Sequence, residues 1–138
     1  MMIIRPYRTA DEADVLALWH ECEMVRWADP RKEIARKLRV NPEWFLVGEV
    51  AERVIATCMV GYEGHRGWIN FLAVAPRWQG GGHGRALMVE AERILRGVGC
   101  VKINLQVRTT NAKVVEFYER LGFVTEEMIN LGKRLERE

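Results

Sequence analysis

A glycine-rich turn between a predicted strand and a predicted helix is the segment best suited to chemistry. Glycine occupies positions 80, 81, 82 and 84, after the apolar residues 72–74 and before an amphipathic helix. A helix N-terminus offers unpaired backbone N–H groups and a positive macrodipole end, which bind phosphate without any particular side chain. Ordering four glycines costs conformational entropy, and an ordinary flexible loop has no structural need for so many of them. The turn therefore predicts a site for the phosphate of a nucleotide-like or coenzyme ligand.

Two common phosphate-binding motifs do not fit this turn. The dinucleotide pattern G-x-G-x-x-G fails because Arg85 holds the sixth position counted from Gly80, and Leu87 holds it counted from Gly82. The P-loop pattern, which ends in Gly-Lys-Ser/Thr, does not occur. Residues 79–84 instead follow the signature Q/R-x-x-G-x-G/A.

Size and composition predict one globular domain covering residues 1–138. The chain of 138 residues is 49% hydrophobic and 29% charged, with a formal net charge of +2. A charge this small, on scattered lysines and arginines, gives no basic field for nucleic acid. No apolar run approaches the roughly 20 residues that span a membrane. We expect a cytoplasmic protein with neither a nucleic-acid nor a membrane partner.

Cysteine and histidine spacing predicts neither disulfides nor a metal site. Cys22, Cys58 and Cys100 are odd in number, far apart and set in apolar stretches, as reduced core cysteines are. The three histidines have no metal-ligand spacing with one another or with cysteine.

Hydrophobic periodicity predicts an α/β fold with a mixed sheet. Thr9 and Glu12 have capping-box spacing, Asp29-Pro30 opens a second helix with Ile34 and Leu38 inward, and further helices follow Gly82 and Asn111. Strands are predicted at residues 2–6, 45–51, 54–62, 68–74 and 101–107, with one long final strand, or a very tight hairpin, from Phe123. The early strands form antiparallel pairs, and a right-handed crossover joins 68–74 to the parallel strand 101–107.

A second motif lies about thirty residues beyond the glycine turn. Asn111 precedes Tyr118 by seven residues, and Leu121-Gly122-Phe123 follows. This segment resembles N-x-x-A-x-x-x-Y-x-x-x-G-F of the GCN5-related N-acetyltransferase (GNAT) superfamily, with Val114 in place of alanine. The signature at 79–84 belongs to the same superfamily. The resemblance covers roughly residues 3–124, and residues 131–135 resemble a small bacterial branch, the YpeA type.

The resemblance implies a fold, a cosubstrate and a set of binding residues. It implies a sheet of six to seven strands with about four helices, whose parallel strands splay apart to form an acetyl-CoA cleft. The main chain of Leu72, Ala73 and Val74 would pair with the pantetheine arm. The turn would hold the pyrophosphate, with His83 filling a variable position. The implied coenzyme-binding residues of the turn and of the second motif are Gln79, Gly80, Gly81, Gly82, His83, Gly84, Arg85 and Asn111.

Tyr118 has a catalytic and a structural interpretation. The resemblance implies that its hydroxyl gives a proton to the leaving thiolate as general acid. Its spacing also places it in the apolar stripe of the last helix, where a core tyrosine would need a partner for its hydroxyl. Asn111 is the N-cap of that helix in either case.

The general base is left open between several alternatives. Relatives that acetylate a ribosomal protein N-terminus carry Leu-Glu-Val-Arg where this chain has Gln106 in Leu-Gln-Val-Arg, and an amide cannot act as a base. Glu63 and His65, in the loop before the central strand, are candidate bases. The alternatives are a solvated hairpin loop and transfer to an already neutral amine.

These observations predict an N-acetyltransferase that moves an acetyl group from acetyl-CoA to an amine by direct attack in a ternary complex. The acceptor is a small molecule or a protein amine, and no metal is required. The alternative is an acetyl-CoA-binding regulatory module without catalysis, and the third is an α/β domain whose turn stays empty. The short segment after Gly122 could leave a sheet edge open for a homodimer, which a monomeric mass in light scattering would reject.

Overall fold

A mixed sheet lies at the centre of the first of two structural units. The computed structural model describes residues 1–137 and divides into a unit Met1–Leu105 and a unit from Gln106 onward, which we describe separately. The first unit contains a five-stranded sheet in the order β1-β2-β3-β4-β5. Its strands are β1 (Ile3–Pro6), β2 (Phe45–Val50), β3 (Arg53–Tyr62), β4 (Gly67–Val74) and β5 (Ile103–Asn104). The first three pairings are antiparallel and β4–β5 is parallel, as predicted.

Four α-helices occur in the described residues, three in the first unit and one in the second. They are α1 (Glu12–Glu21), α2 (Pro30–Lys37), α3 (His83–Gly97) and α4 (Ala112–Arg120). The number agrees with the prediction. No helix within residues 1–137 is long and apolar enough to cross a membrane.

Helices α1 and α3 cover opposite faces of the sheet. Trp19 of α1 donates its indole N–H to Thr57 of β3, so that face of β3 carries the odd-numbered side chains. A Cβ built on Gly67 of β4 would lie 2.7 Å from Leu95 of α3, so α3 packs directly against that glycine. Gly67 pairs with Tyr62, an even-numbered residue of β3, and therefore faces the other side. The glycine permits this close helix–sheet approach.

Two local predictions about the helices were wrong. The capping interaction at the first helix is made by Asp11, whose carboxylate accepts the N–H of Arg8 at 2.7 Å, because a 3₁₀ turn Thr9–Asp11 precedes α1. Leu38 is exposed, since α2 ends at Lys37 and Leu38 no longer follows the buried stripe of Ile34. The predicted start of α2 is confirmed, with Asp29 accepting the N–H of Arg31 at 3.0 Å.

The sheet has five strands in the described residues, not the six to seven predicted. The predicted strand 101–107 contracts to β5, and no strand follows α4 up to residue 137. The apolar side chains of this last segment do not alternate strictly, so they cannot be buried together on one strand face. Each is at least 79% exposed: Val124, Met128, Ile129, Leu131 and Leu135.

Candidate functional site

The glycine turn before α3 has a left-handed backbone at two of its glycines. Gly80 and Gly82 both have φ of +84°, a region in which side chains with a Cβ are strained. A Cβ built on either glycine would meet no atom within 4 Å outside its immediate neighbours. The turn is therefore bordered by open space, and glycine is required by the backbone rather than by packing.

Six successive backbone N–H groups in this turn have no protein acceptor. None of the N–H groups of residues 80–85 donates to another group of the described chain, and no side chain caps α3. The first bond of the helix runs from Ala86 N–H to the carbonyl of Gly82 at 3.0 Å. Unpaired amides at a helix N-terminus attract anions through their dipoles. These six donors fit a diphosphate, so the arrangement suits the predicted coenzyme.

Side chains next to the turn hold it against the end of β4. Gln79 donates its side-chain N–H to the carbonyl of Val74 at 2.9 Å. His83 packs edge-on against Trp78, with ring centroids 5.7 Å apart. The indole N–H of Trp78 is buried without a hydrogen-bond partner among the described residues. Sequence reasoning missed Trp78, although an aromatic residue within a polar, glycine-rich connection was the available signal.

The far half of β4 has an open edge. Strands β4 and β5 pair at two positions, Gly67–Ile103 and Trp68–Asn104. The hydrogen-bonded ladder between them therefore stops well before Val74. Ala75 donates its N–H to Ile55 of β3. Because backbone groups alternate between the two edges of a strand, Ala73 also faces β3, while Leu72 and Val74 face the open edge.

This alternation divides the three predicted pantetheine-binding residues. Ala73 pairs with Thr57 in the β3–β4 ladder, which uses its own backbone groups. Leu72 and Val74 have backbone groups directed to the edge that β5 leaves uncovered. An extended ligand could therefore add to β4 as a strand would, through Leu72 and the N–H of Val74, whose carbonyl already accepts from Gln79 and Cys22.

The C-terminal end of α1 reaches the same end of β4. The thiol of Cys22 lies 3.4 Å from the carbonyl of Val74, which it donates to. Burial raises the pKa of this thiol, and the nearby Glu21 carboxylate adds to the effect. A thiol with a raised pKa is a poor nucleophile at neutral pH, so Cys22 does not favour an acyl-enzyme.

The loop with Glu63 and His65 forms its own turn at the start of β4. The Glu63 carboxylate accepts the backbone N–H groups of Arg66 and of His65, the latter at 3.0 Å. These hydrogen bonds, chiefly the one from Arg66, lower the pKa of Glu63. A strand rises about 3.3 Å per residue, so the loop lies roughly 20 Å along β4 from Val74. The geometry favours a turn-stabilising role for Glu63.

Replacing Glu63 with glutamine tests this interpretation. The amide oxygen can still accept the two N–H groups, so we expect Glu63→Gln to leave the pH profile of kcat/KM unchanged in shape. The measurement is the steady-state acetylation rate between pH 6 and 9, with His65→Gln treated in parallel. Loss of the acidic limb in either variant would instead identify the general base.

In the second unit, Tyr118 lies in the buried stripe of α4. It is 8% exposed and packs between two aromatic rings, those of Phe117 and Phe123, at centroid distances of 5.1 and 5.4 Å. Asn111 occupies the N-cap position of α4, as predicted, but its side chain makes no capping hydrogen bond. Gln106 donates its amide N–H to Asn130 within the same unit. Its side chain is thus a hydrogen-bonding group and supplies no carboxylate.

The sequence matches the profile described as "Acetyltransferase (GNAT) family" over residues 11–123. It is 42% identical to the acetyltransferase YE1169 of Yersinia enterocolitica over 135 residues, 97% of this chain and 96% of that protein. It is 43% identical to the acetyltransferase ECA0875 of Pectobacterium atrosepticum, also over 135 residues and with the same coverage of both chains.

Solved structures share the fold. Ard1 from Thermoplasma volcanium has a TM-score of 0.76 at 26% identity, covering 89% of this chain and 82% of that one. A transcriptional regulator from Bacillus halodurans has a TM-score of 0.79 at 19% identity, covering 98% of this chain and 100% of that one. The second likeness concerns the fold alone.

Proposed function

We propose, from the premise that this chain belongs to the acetyltransferase (GNAT) family, that it acetylates an amine by direct attack in a ternary complex. Family membership confirms the resemblance inferred from the two motifs and makes the chain an acetyl-CoA-dependent acyltransferase. The amine class of the acceptor and the direct attack are the parts that we propose.

The observation that carries the proposal is the row of six unbonded N–H groups at residues 80–85. Any helix start leaves four such donors unpaired, here those of residues 82–85, and the glycine turn adds two more beside them at the positive end of α3. The pyrophosphate of acetyl-CoA would accept from these donors. From the turn, the pantetheine arm would run along the open edge of β4 and pair with Leu72 and Val74.

The proposed reaction transfers the acetyl group in one displacement. The nitrogen lone pair of a neutral amine attacks the thioester carbonyl carbon, a carbon–nitrogen bond forms and the carbon–sulfur bond breaks. The leaving thiolate takes a proton, which we assign to the Tyr118 hydroxyl as general acid. The nitrogen loses one proton to solvent, and solvent reprotonates the tyrosinate. Charge and atoms therefore balance without a further reactant.

Direct attack is favoured because Cys22 and Cys58 are unsuited to carry the acetyl group, and Cys100 lies beside Gly67, at the end of β4 away from Val74. Burial raises the pKa of Cys22, and it raises the pKa of the fully buried Cys58 to about 12. Neither thiol offers the thiolate that an acyl-enzyme route requires.

The proposal is tested by calorimetry with acetyl-CoA together with thiol release across a panel of amines. The panel should contain amino acids, polyamines, aminoglycosides, and peptides with a free N-terminus or lysine. We expect binding, and turnover with at least one amine. Tight binding without turnover on any amine would instead support a regulatory coenzyme sensor. Absence of binding would overturn the proposed site.

A further inference from the structure

A buried hydroxyl on β3 contacts the one distorted segment of β4. Phe71 has a φ of +51°, a strained value for a residue with a large side chain. The register shifts at this point: Met59 pairs with Asn70 and Thr57 with Ala73, so two residues of β4 oppose one of β3. Phe71 and Leu72 therefore form a β-bulge.

Thr57 is the polar group that holds this bulge. Its hydroxyl donates to the carbonyl of Phe71 at 2.8 Å and accepts the indole N–H of Trp19 at 2.9 Å. Thr57 and Trp19 are fully buried, and the Trp19 ring also stacks on the Phe71 ring with centroids 4.1 Å apart. The bulge is thus fixed through both the backbone and the side chain of Phe71.

The bulge decides which backbone groups reach the open edge of β4. Before it, Gly67 donates its N–H to Lys102, on the β5 side. Uninterrupted alternation from Gly67 would direct Phe71 and Ala73 to that side. The extra residue reverses the order, so that Leu72 and Val74 face the open edge instead, while Thr57 binds the Phe71 carbonyl.

We infer that Thr57 is a positioning residue, which keeps Leu72 and Val74 on the edge that receives the pantetheine arm. This inference rests on the proposed function, because it assigns the open edge to that part of the coenzyme. Without the hydroxyl, the carbonyl of Phe71 and the indole N–H of Trp19 lose their shared partner, and the strained bulge loses its main polar restraint.

The test compares two ligands in Thr57→Val, which keeps the side-chain shape and removes the hydroxyl. Coenzyme A carries both the diphosphate and the pantetheine arm, whereas adenosine 3′-phosphate 5′-diphosphate lacks the arm. Calorimetry should give a Kd for coenzyme A raised roughly tenfold, with the Kd of the fragment unchanged within about twofold. The ratio of the two values isolates the β4 edge from the glycine turn.

Two further variants separate positioning from stability. Thr57→Ser retains the hydroxyl and should restore the wild-type ratio. Ile34→Ala, at a buried position of α2 away from the β3–β4 ladder, should lower the melting temperature without changing the ratio. If Thr57→Val does not fold, Thr57→Ala is compared with Thr57→Ser in the same way.

The outcomes distinguish this inference from the function on which it rests. An unchanged ratio in Thr57→Val, or a ratio shifted as much by Ile34→Ala, would overturn the positioning role. Failure of the wild-type protein to bind either ligand would overturn the proposed function instead.

Discussion

Gly82→Val is expected to weaken acetyl-CoA binding by about 100-fold or more, which is about 2.7 kcal/mol. Gly82 has a φ of +84°, where a β-branched residue is strained by about 1–2 kcal/mol. The backbone must move to relieve this strain, and the N–H groups of residues 80–85 then lose their common direction. Hydrogen bonds to charged groups contribute about 1.5–3 kcal/mol each, so misdirecting one or two explains the loss. Calorimetric titration measures it.

Gly97→Ala is the matched control for this variant. Gly97 is the last residue of α3, its φ is not positive, and a Cβ built there meets nothing within 4 Å. Alanine should therefore leave coenzyme affinity unchanged and stabilise the helix slightly. Normal affinity in Gly82→Val would contradict the assignment of the turn to the pyrophosphate.

Tyr118→Phe is expected to lower kcat by roughly 10²–10⁴-fold while the Kd of acetyl-CoA stays nearly constant. The substitution removes only the hydroxyl and keeps the ring between Phe117 and Phe123, so the packing of α4 is preserved. A general acid acts on the leaving thiolate in the transition state, and its loss therefore appears in kcat. Steady-state kinetics at saturating acetyl-CoA, with calorimetry for the Kd, checks both parts.

Tyr62→Phe is the control for the loss of a tyrosine hydroxyl. The Tyr62 hydroxyl donates to the carbonyl of Gly64 in an exposed turn, so its removal should leave kcat unaltered. A second readout comes from the leaving group, since an acetyl thioester of a more acidic thiol needs less proton donation. Such a donor should partly rescue Tyr118→Phe. Unchanged turnover in Tyr118→Phe with acetyl-CoA itself would rule out the acid role and leave Tyr118 as a core residue.

Local sequence determined the elements that carry the turn. The glycines at 80 and 82 permit the positive φ that the structure has, and the apolar spacing of α3 buries Leu87, Ala91 and Leu95. Such features depend on a few adjacent residues, since backbone sterics and helical periodicity act over short distances. The family could also be recognised from two short motifs for that reason.

Tertiary structure decided which of those residues face the open edge. Ala73 and Leu72 are adjacent and both apolar, yet only Leu72 is directed away from β3, because a bulge at Phe71 changes the alternation. The bulge depends on Thr57 and Trp19, which are 14 and 52 residues from Phe71 along the chain. No local pattern contains that contact. The only sequence feature that pointed to it was a single hydroxyl residue within an otherwise apolar strand.

The lengths of the last strands likewise could not be predicted from the sequence. The apolar residues at 101–107 and after Phe123 suggested full strands, but a strand exists only where a neighbouring edge pairs with its backbone. In the described chain only Ile103 and Asn104 have such a partner from these two segments. The glycine turn was thus determined by its own residues, whereas the edge beside it required long-range pairing, which composition and periodicity do not encode.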